Sequence, residues 1–274
     1  MGYLDVANDT LANGIFFGIQ PFTSLSITAV TSSDSLYISS YLLDEDIDTT
    51  WRSTSTALQN IDLNMGSAIV NPVVIIKNTN FKNATLYLDD ETSFTAPPVT
   101  SAIEIFKDIR TKVRGGWFAL TGTYQHLRFR ITGSQTTDGG EGYYYVGDII
   151  VIPAASLIIP GARHQFPLSV ERFRPHLEVE YVGGAGRAAV NFGRRRCRFN
   201  LTNVGFHIDD EEKIWSIADM DNNQNFLFFE NLKAPTVETR ATDTSRVYLV
   251  KQIGDYEVTE ITHLIETGWI LEEQ

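Results

Sequence analysis

The sequence predicts a mainly all-β protein, and three features predict it. Segments that alternate polar and apolar residues recur along the chain, short apolar runs of strand length lie between them, and turn-forming residues separate them. Ser24-Leu25-Ser26-Ile27-Thr28-Ala29-Val30 alternates, as do Ala84-Thr85-Leu86-Tyr87-Leu88 and His126-Leu127-Arg128-Phe129-Arg130-Ile131. Successive side chains of a strand point to opposite faces, so such segments suit sheets with one buried side. Val73-Val74-Ile75-Ile76 and Ile149-Ile150-Val151-Ile152 are continuously apolar, as buried strands are. Asn78-Thr79-Asn80, Ala96-Pro97-Pro98 and Asp138-Gly139-Gly140 supply the turns. The segment 101–110 reads either as a short helix or as a strand.

A chain of 274 residues, 43% hydrophobic and 11% aromatic, has room for one large or two ordinary domains and a real core. A formal charge of −12 argues against a nucleic-acid or anionic-membrane binder, since phosphate contacts need clustered positive charge. A single cysteine, Cys197, excludes an internal disulfide and fits synthesis in a reducing compartment. The start Met1-Gly2-Tyr3-Leu4-Asp5 lacks the basic region and long apolar run of a signal peptide, and no apolar run approaches the roughly 20 residues that span a bilayer. The expectation is a soluble protein with no membrane insertion.

Pro153 and Pro160 mark a connector, because proline cannot donate to a sheet ladder. The predicted organisation is an N-terminal arm at 1–19, a β-sandwich at 20–153, a linker at 154–162 and a β-rich domain at 163–274. One helix is expected near 209–220: Asp209 is a suitable N-cap with Glu212 three residues on, and Ile214, Ile217 and Ala218 form an apolar stripe.

The acidic stretch Leu43-Asp44-Glu45-Asp46-Ile47-Asp48-Thr49-Thr50-Trp51 runs into Leu58-Gln59-Asn60-Ile61-Asp62-Leu63. In order after it come Val73–Ile76, Tyr87, His126–Gly133 and Tyr145–Val151. This succession resembles the discoidin, or coagulation-factor type C, family, whose loop reads D-G-D-x-S-T-x-W and whose next strand reads W-I-x-V-D-L-G. Leu58 replaces the Trp of that strand and Asn64 its Gly. The resemblance covers about residues 20–153 and implies a galactose-binding-like jellyroll sandwich with Trp51 in the core and Arg52 in a hydrogen-bonding role. It also implies a possible structural calcium held by Asp46, Thr49 and Asp148; the bland alternative is that Asp44, Asp46 and Asp48 cap turn N–H groups. No other cofactor is expected.

Downstream, Arg196-Cys197-Arg198-Phe199-Asn200-Leu201, a helix and then Asn225-Phe226-Leu227-Phe228-Phe229-Glu230 loosely resemble a unit of bacteriophage tail and baseplate ring proteins. Arg194, Arg195, Arg196 and Arg198 could pair head to tail with an acidic C-terminus, including Glu272 and Glu273, of another copy. These arginines equally fit a solvated strand face. No catalytic motif occurs, and the five histidines have no short-range metal-ligand spacing. Trp117, Tyr143 and Tyr145 adjoin glycine-rich loops and are candidate glycan contacts, with burial of alternate tyrosines as the competing reading.

Taken together, these resemblances imply a non-enzymatic structural component of a phage tail tip or baseplate, assembled in a bacterial cytoplasm and carried in the virion. Its partners would be other tail proteins and copies of itself. The alternative is a carbohydrate-binding adhesion module for a cell-surface glycan.

Overall fold

The computed structural model describes residues 15–18, 22–95, 97, 99–108, 110–158, 169–173, 176–180, 187–191, 194, 196–207, 212, 215, 217, 224–230, 246–253, 258–261 and 264–274. Strands dominate them. The first are β1 (Ile15–Gly18), β2 (Ser26–Val30), β3 (Trp51–Arg52), β4 (Gln59–Val70), β5 (Pro72–Thr79) and β6 (Asn83–Asp89). Next come β7 (Val99–Glu104), β8 (Phe106–Lys107), β9 (Arg114–Ala119), β10 (Thr123–Ile131), β11 (Tyr145–Pro153) and β12 (Leu157–Ile158). They are followed by β13 (Ser169–Phe173), β14 (His176–Glu180), β15 (Arg187–Asn191) and β16 (Arg196–His207). The last are β17 (Phe226–Glu230), β18 (Arg246–Gln252), β19 (Val258–Ile261) and β20 (Leu264–Glu273).

The chain folds as two units. The first takes the described residues of Met1–Asp108, Val113–Ala162 and Phe226–Leu249; the second takes those of Ile109–Lys112, Arg163–Asn225 and Val250–Gln274.

Within the first unit two five-stranded antiparallel sheets form a sandwich, a front sheet ordered β2-β4-β10-β6-β7 and a back sheet ordered β3-β11-β5-β9-β8. The alternating segments make the front sheet. Ile61, Leu63, Leu86, Leu88, Leu127 and Phe129 point into the core, where they join Trp51, Val74, Ile76, Val146 and Val151 of the back sheet. On the outer face Asp62 takes two hydrogen bonds from Arg128, at 2.6 and 2.7 Å. The acidic loop leads into β3 at Trp51, and the later segments that carried the resemblance fall, in order, on β4, β5, β6, β10 and β11.

The continuously apolar strands have a different surrounding. Val73, Ile75, Ile150 and Ile152 face away from the sandwich core into a second cluster, with Trp117, Leu157, Leu227, Phe229, Val247 and Leu249. The back sheet is therefore apolar on both faces, which is why its strands read as unbroken hydrophobic runs.

That second layer corrects the predicted boundaries. β1, from the expected arm, pairs with β12, from the expected linker, and with β17. Phe17 is fully buried and meets Phe226 and Phe228 at ring-centroid distances of 6.3 and 5.8 Å. The described residues of 226–249, in β17 and β18, belong to the first unit and not to the second. An aromatic strand of this kind needs an apolar partner, and β5, β9 and β11 provide one.

In the second unit β16 pairs with β13 and β20, β20 also pairs with β19 and with the end of β18, and β14 pairs with β15. Of the expected helix, the described residues Glu212, Trp215 and Ile217 are helical, Glu212 exposed and Ile217 buried. Asp209, Ile214 and Ala218 lie outside the described residues. The ambiguous segment 101–110 resolves in favour of strand, as β7 and β8. Among the described residues no helix is long and apolar enough to cross a membrane.

Candidate functional site

Two features of the first unit have the chemistry of a site. One is a tyrosine–arginine platform built on β3. Arg52 is opposite Tyr145 in the β3–β11 register. Its backbone N–H donates to the Tyr37 carbonyl at 3.1 Å, and its own carbonyl accepts the Asp34 N–H at 2.9 Å, so the 34–37 turn is stitched to β3. This brings the Tyr37 ring under the guanidinium, with the Arg52 carbon 3.4 Å from the ring centroid and 5.0 Å from that of Tyr143. Cation–π attraction of this kind fixes an arginine without using its N–H groups.

Beside the platform the 137–143 turn is held by Glu141. Its carboxylate accepts the Gly139 N–H at 3.1 Å and faces the Asn80 amide at 3.4 Å. Asn80 also donates to the Tyr143 carbonyl at 2.9 Å and accepts the Tyr145 N–H at 3.0 Å. Tyr145 is half-buried; desolvation, then the Glu141 and Asp138 charges, raise its pKa, while the Arg52 charge pulls it down. Leu36 and Ile38, flanking Tyr37, are 76% and 44% exposed. An apolar, aromatic and cationic surface is thus set on a turn with a fixed backbone.

The other feature is the acidic loop. Asp44 accepts the Asp46 N–H at 3.1 Å and the Thr49 hydroxyl at 2.6 Å, and Asp46 accepts the Asp48 N–H at 3.0 Å. Ile47 is buried as a plug, and its carbonyl accepts the Asn78 amide at 2.6 Å. Gly147 seats the loop: a Cβ there would lie 2.8 Å from the Asn78 Cβ and 2.9 Å from the Ile47 carbonyl.

Behind this loop lies Asp148, only 1% exposed. Among the described residues neither of its carboxylate oxygens has a hydrogen-bond partner. Lys77 is opposite it in the β5–β11 register, yet the ammonium donates to the Val247 carbonyl at 2.6 Å. Burial pushes the Asp148 carboxyl well above the usual carboxylate range, and the charges of Asp44, Glu45 and Asp46 push it the same way. The Ile149 N–H opposes them, from outside hydrogen-bonding geometry. Asp148 and Glu45 line one cavity of about 240 Å³ with Phe22, Thr23, Ser24 and Leu43.

No protein-family profile and no curated protein sequence matches the chain. Among solved structures it is similar to a family 89 glycoside hydrolase of Clostridium perfringens, solved with its substrate GlcNAc-alpha-1,4-galactose. That likeness covers 47% of this chain and 14% of the hydrolase, at 12% identity and a TM-score of 0.34. The C-terminal domain of a chitobiase from Bacteroides fragilis is similar over 48% of this chain and 95% of that one, at 12% identity and a TM-score of 0.37. A fucose-binding module of Streptococcus pneumoniae is similar over 47% and 92%, at 12% identity and a TM-score of 0.36. Likenesses of this degree assign no ligand to the present chain.

The structure sorts the residues singled out by sequence. Tyr143 and Tyr145 are half-exposed and adjacent to Arg52. Trp117 is not a surface residue: it is 1% exposed in β9 and packs edge-on against Phe229, with ring centroids 5.4 Å apart. Asp46 and Thr49 close the loop on itself, and the loop carboxylate that shares a cavity with Asp148 is Glu45. Among the described residues no three His, Cys, Asp or Glu side chains gather into a metal cluster. A cation here would rest on two carboxylates and backbone oxygens.

The assembly candidates are matched within one chain. Arg198 pairs with Glu272 at 2.8 Å and Glu171 at 3.5 Å, and Arg194 pairs with Glu273 at 3.0 Å. Arg194 also donates to the Gln274 carbonyl, and Glu273 accepts the Cys197 N–H at 3.0 Å. Arg196 begins β16, and Arg195 lies outside the described residues. β16 and β20 are neighbours, so Arg198 meets Glu272, and Arg194 meets Glu273, without a second copy.

Tyr37 was missed by sequence reading. Its signal was an apolar triplet, Leu36-Tyr37-Ile38, inside a serine-rich turn where nothing would be expected to bury it.

Proposed function

We propose that the first unit is a carbohydrate-recognition module whose ligand rests on Tyr37, Arg52 and Tyr143. The observation that carries this reading is the guanidinium held over two tyrosine rings on a backbone-stitched turn. Sugars present C–H faces that pack on aromatic and aliphatic surface, and hydroxyls that need rigid donors; this platform offers both. Of the arginine-rich strand, Arg194 and Arg198 already hold Glu273 and Glu272 within one chain, which leaves less charge for tail-ring assembly.

The acidic loop supports a structural role for calcium. The orphaned Asp148 carboxylate and Glu45 are hard oxygen donors with the character calcium prefers, and backbone carbonyls and water would complete its shell. An ion there would neutralise Asp148 and tie the loop to β11.

Binding of the full chain to a glycan array tests the main reading. Wild type should bind at least one sugar class, and Tyr37→Ala and Tyr143→Ala should each remove that binding while the melting temperature stays within a few degrees. Absence of any glycan binding, or binding indifferent to both substitutions, removes this reading.

A further inference from the structure

Arg52 is treated unlike the arginines around it. Arg114 pairs with Asp138 at 2.8 Å, and Arg128 is clasped by Asp62. Arg130 donates to Asn60 and to the Tyr87 hydroxyl, each at 2.9 Å. In a chain with 34 acidic and 22 basic residues, a carboxylate partner is easily supplied. Yet the Arg52 side chain makes no hydrogen bond or ion pair among the described residues, and its Nε is shielded from solvent without an acceptor.

The nearby carboxylates are engaged elsewhere. Glu141 turns into its own loop through Gly139 and Asn80, and Asp138 is held by Lys107 at 3.0 Å and by Arg114. Asp34, whose N–H meets the Arg52 carbonyl, directs its carboxylate to the Leu36 N–H at 2.8 Å. A guanidinium whose face lies on aromatic rings, with Nε shielded, still has the edge formed by its two terminal nitrogens to offer. That planar edge matches a carboxylate through two parallel hydrogen bonds, and ring contacts that hold it in place reduce the entropy lost on binding.

The geometry points to a carboxylated sugar, of the uronic or sialic type, as the ligand of this platform. The inference rests on the glycan-recognition reading and sharpens it to a substrate class. The sugar's carboxylate meets the Arg52 edge, and its C–H surface lies against Tyr37 and Tyr143. Because the protein as a whole is negative, selectivity for an acidic ligand comes from this short-range pairing and not from long-range attraction.

The test is calorimetric titration of the full chain with matched pairs: oligogalacturonate against its methyl ester, and sialyllactose against lactose. At least one carboxylated member should bind about tenfold or more tighter than its neutral partner, as expected for one charge-assisted bidentate contact. Arg52→Gln should erase that difference, and Arg52→Lys should restore it only in part. Equal binding of both members of each pair, or a preference that survives Arg52→Gln, overturns the inference and leaves the glycan reading standing. Failure of wild type to bind these or any array sugars overturns both. If Arg52→Gln does not fold, the methyl-ester comparison on wild type decides alone.

Discussion

Asp148 and Glu273 are buried to nearly the same degree, at 1% and 0% exposure, yet their surroundings are opposite. Glu273, on β20, has Arg194 at 3.0 Å and the Cys197 N–H at 3.0 Å. Asp148, on β11, has no hydrogen-bond partner among the described residues and faces three further acids across a loop. A buried charge with a partner is a structural joint, whereas one without a partner invites a proton or a cation from outside. The comparison separates what holds this protein together from what leaves it ready to take something up.

The largest effect should come from breaking the joint. Arg194→Met would leave Glu273 charged in a dry site and should cost about 3–5 kcal/mol, read from urea unfolding at neutral pH. Adding Glu273→Gln should recover much of that loss. A cost below about 1 kcal/mol would mean that the pair is effectively solvated, and the contrast with Asp148 would vanish.

Asp148→Asn should act in the opposite direction. In chelator it removes a carboxylate that the fold disfavours and should stabilise the protein by about 1 kcal/mol. In wild type, millimolar calcium should raise the melting temperature, and in Asp148→Asn that rise should disappear. Destabilisation by Asp148→Asn in chelator would show that the carboxylate already has a partner.

The smallest effect belongs to Asp138. Burial alone would raise its pKa, but hydrogen bonds from Arg114 and Lys107 outweigh burial and hold it below its ordinary value of 3.8. A group with a depressed folded pKa stabilises the fold above its unfolded pKa, and the benefit fades as pH falls through the folded value. Asp138→Asn should therefore cost under about 1 kcal/mol at neutral pH and flatten the stability profile below pH about 4. An unchanged acid limb would mean that the pair is screened out.

Much of the fold was legible because alternation and apolar runs are local signals. β2, β5, β6, β10 and β11 fall where period-two or continuous hydrophobic patterns placed them. What escaped was non-local. Trp117 beside Gly115 and Gly116 read as a loop aromatic because the strand that covers it, β17, lies more than a hundred residues downstream. The arginine band and the acidic terminus were both visible, but not the antiparallel register that sets Arg198 opposite Glu272. Tyr143 was seen and Tyr37 was not, since only the 34–37 turn, closed onto β3, puts the two around one guanidinium.

The doubly covered back sheet carries a practical lesson for anyone dissecting this polypeptide. A fragment stopped after residue 162, at what reads as a natural border, would strip β17 and β18 from it. Val73, Ile75, Trp117, Ile150 and Ile152 would then meet water as one sticky plane. Such a piece should precipitate or self-associate, and a failure to bind sugar in that state would say nothing about the intact molecule.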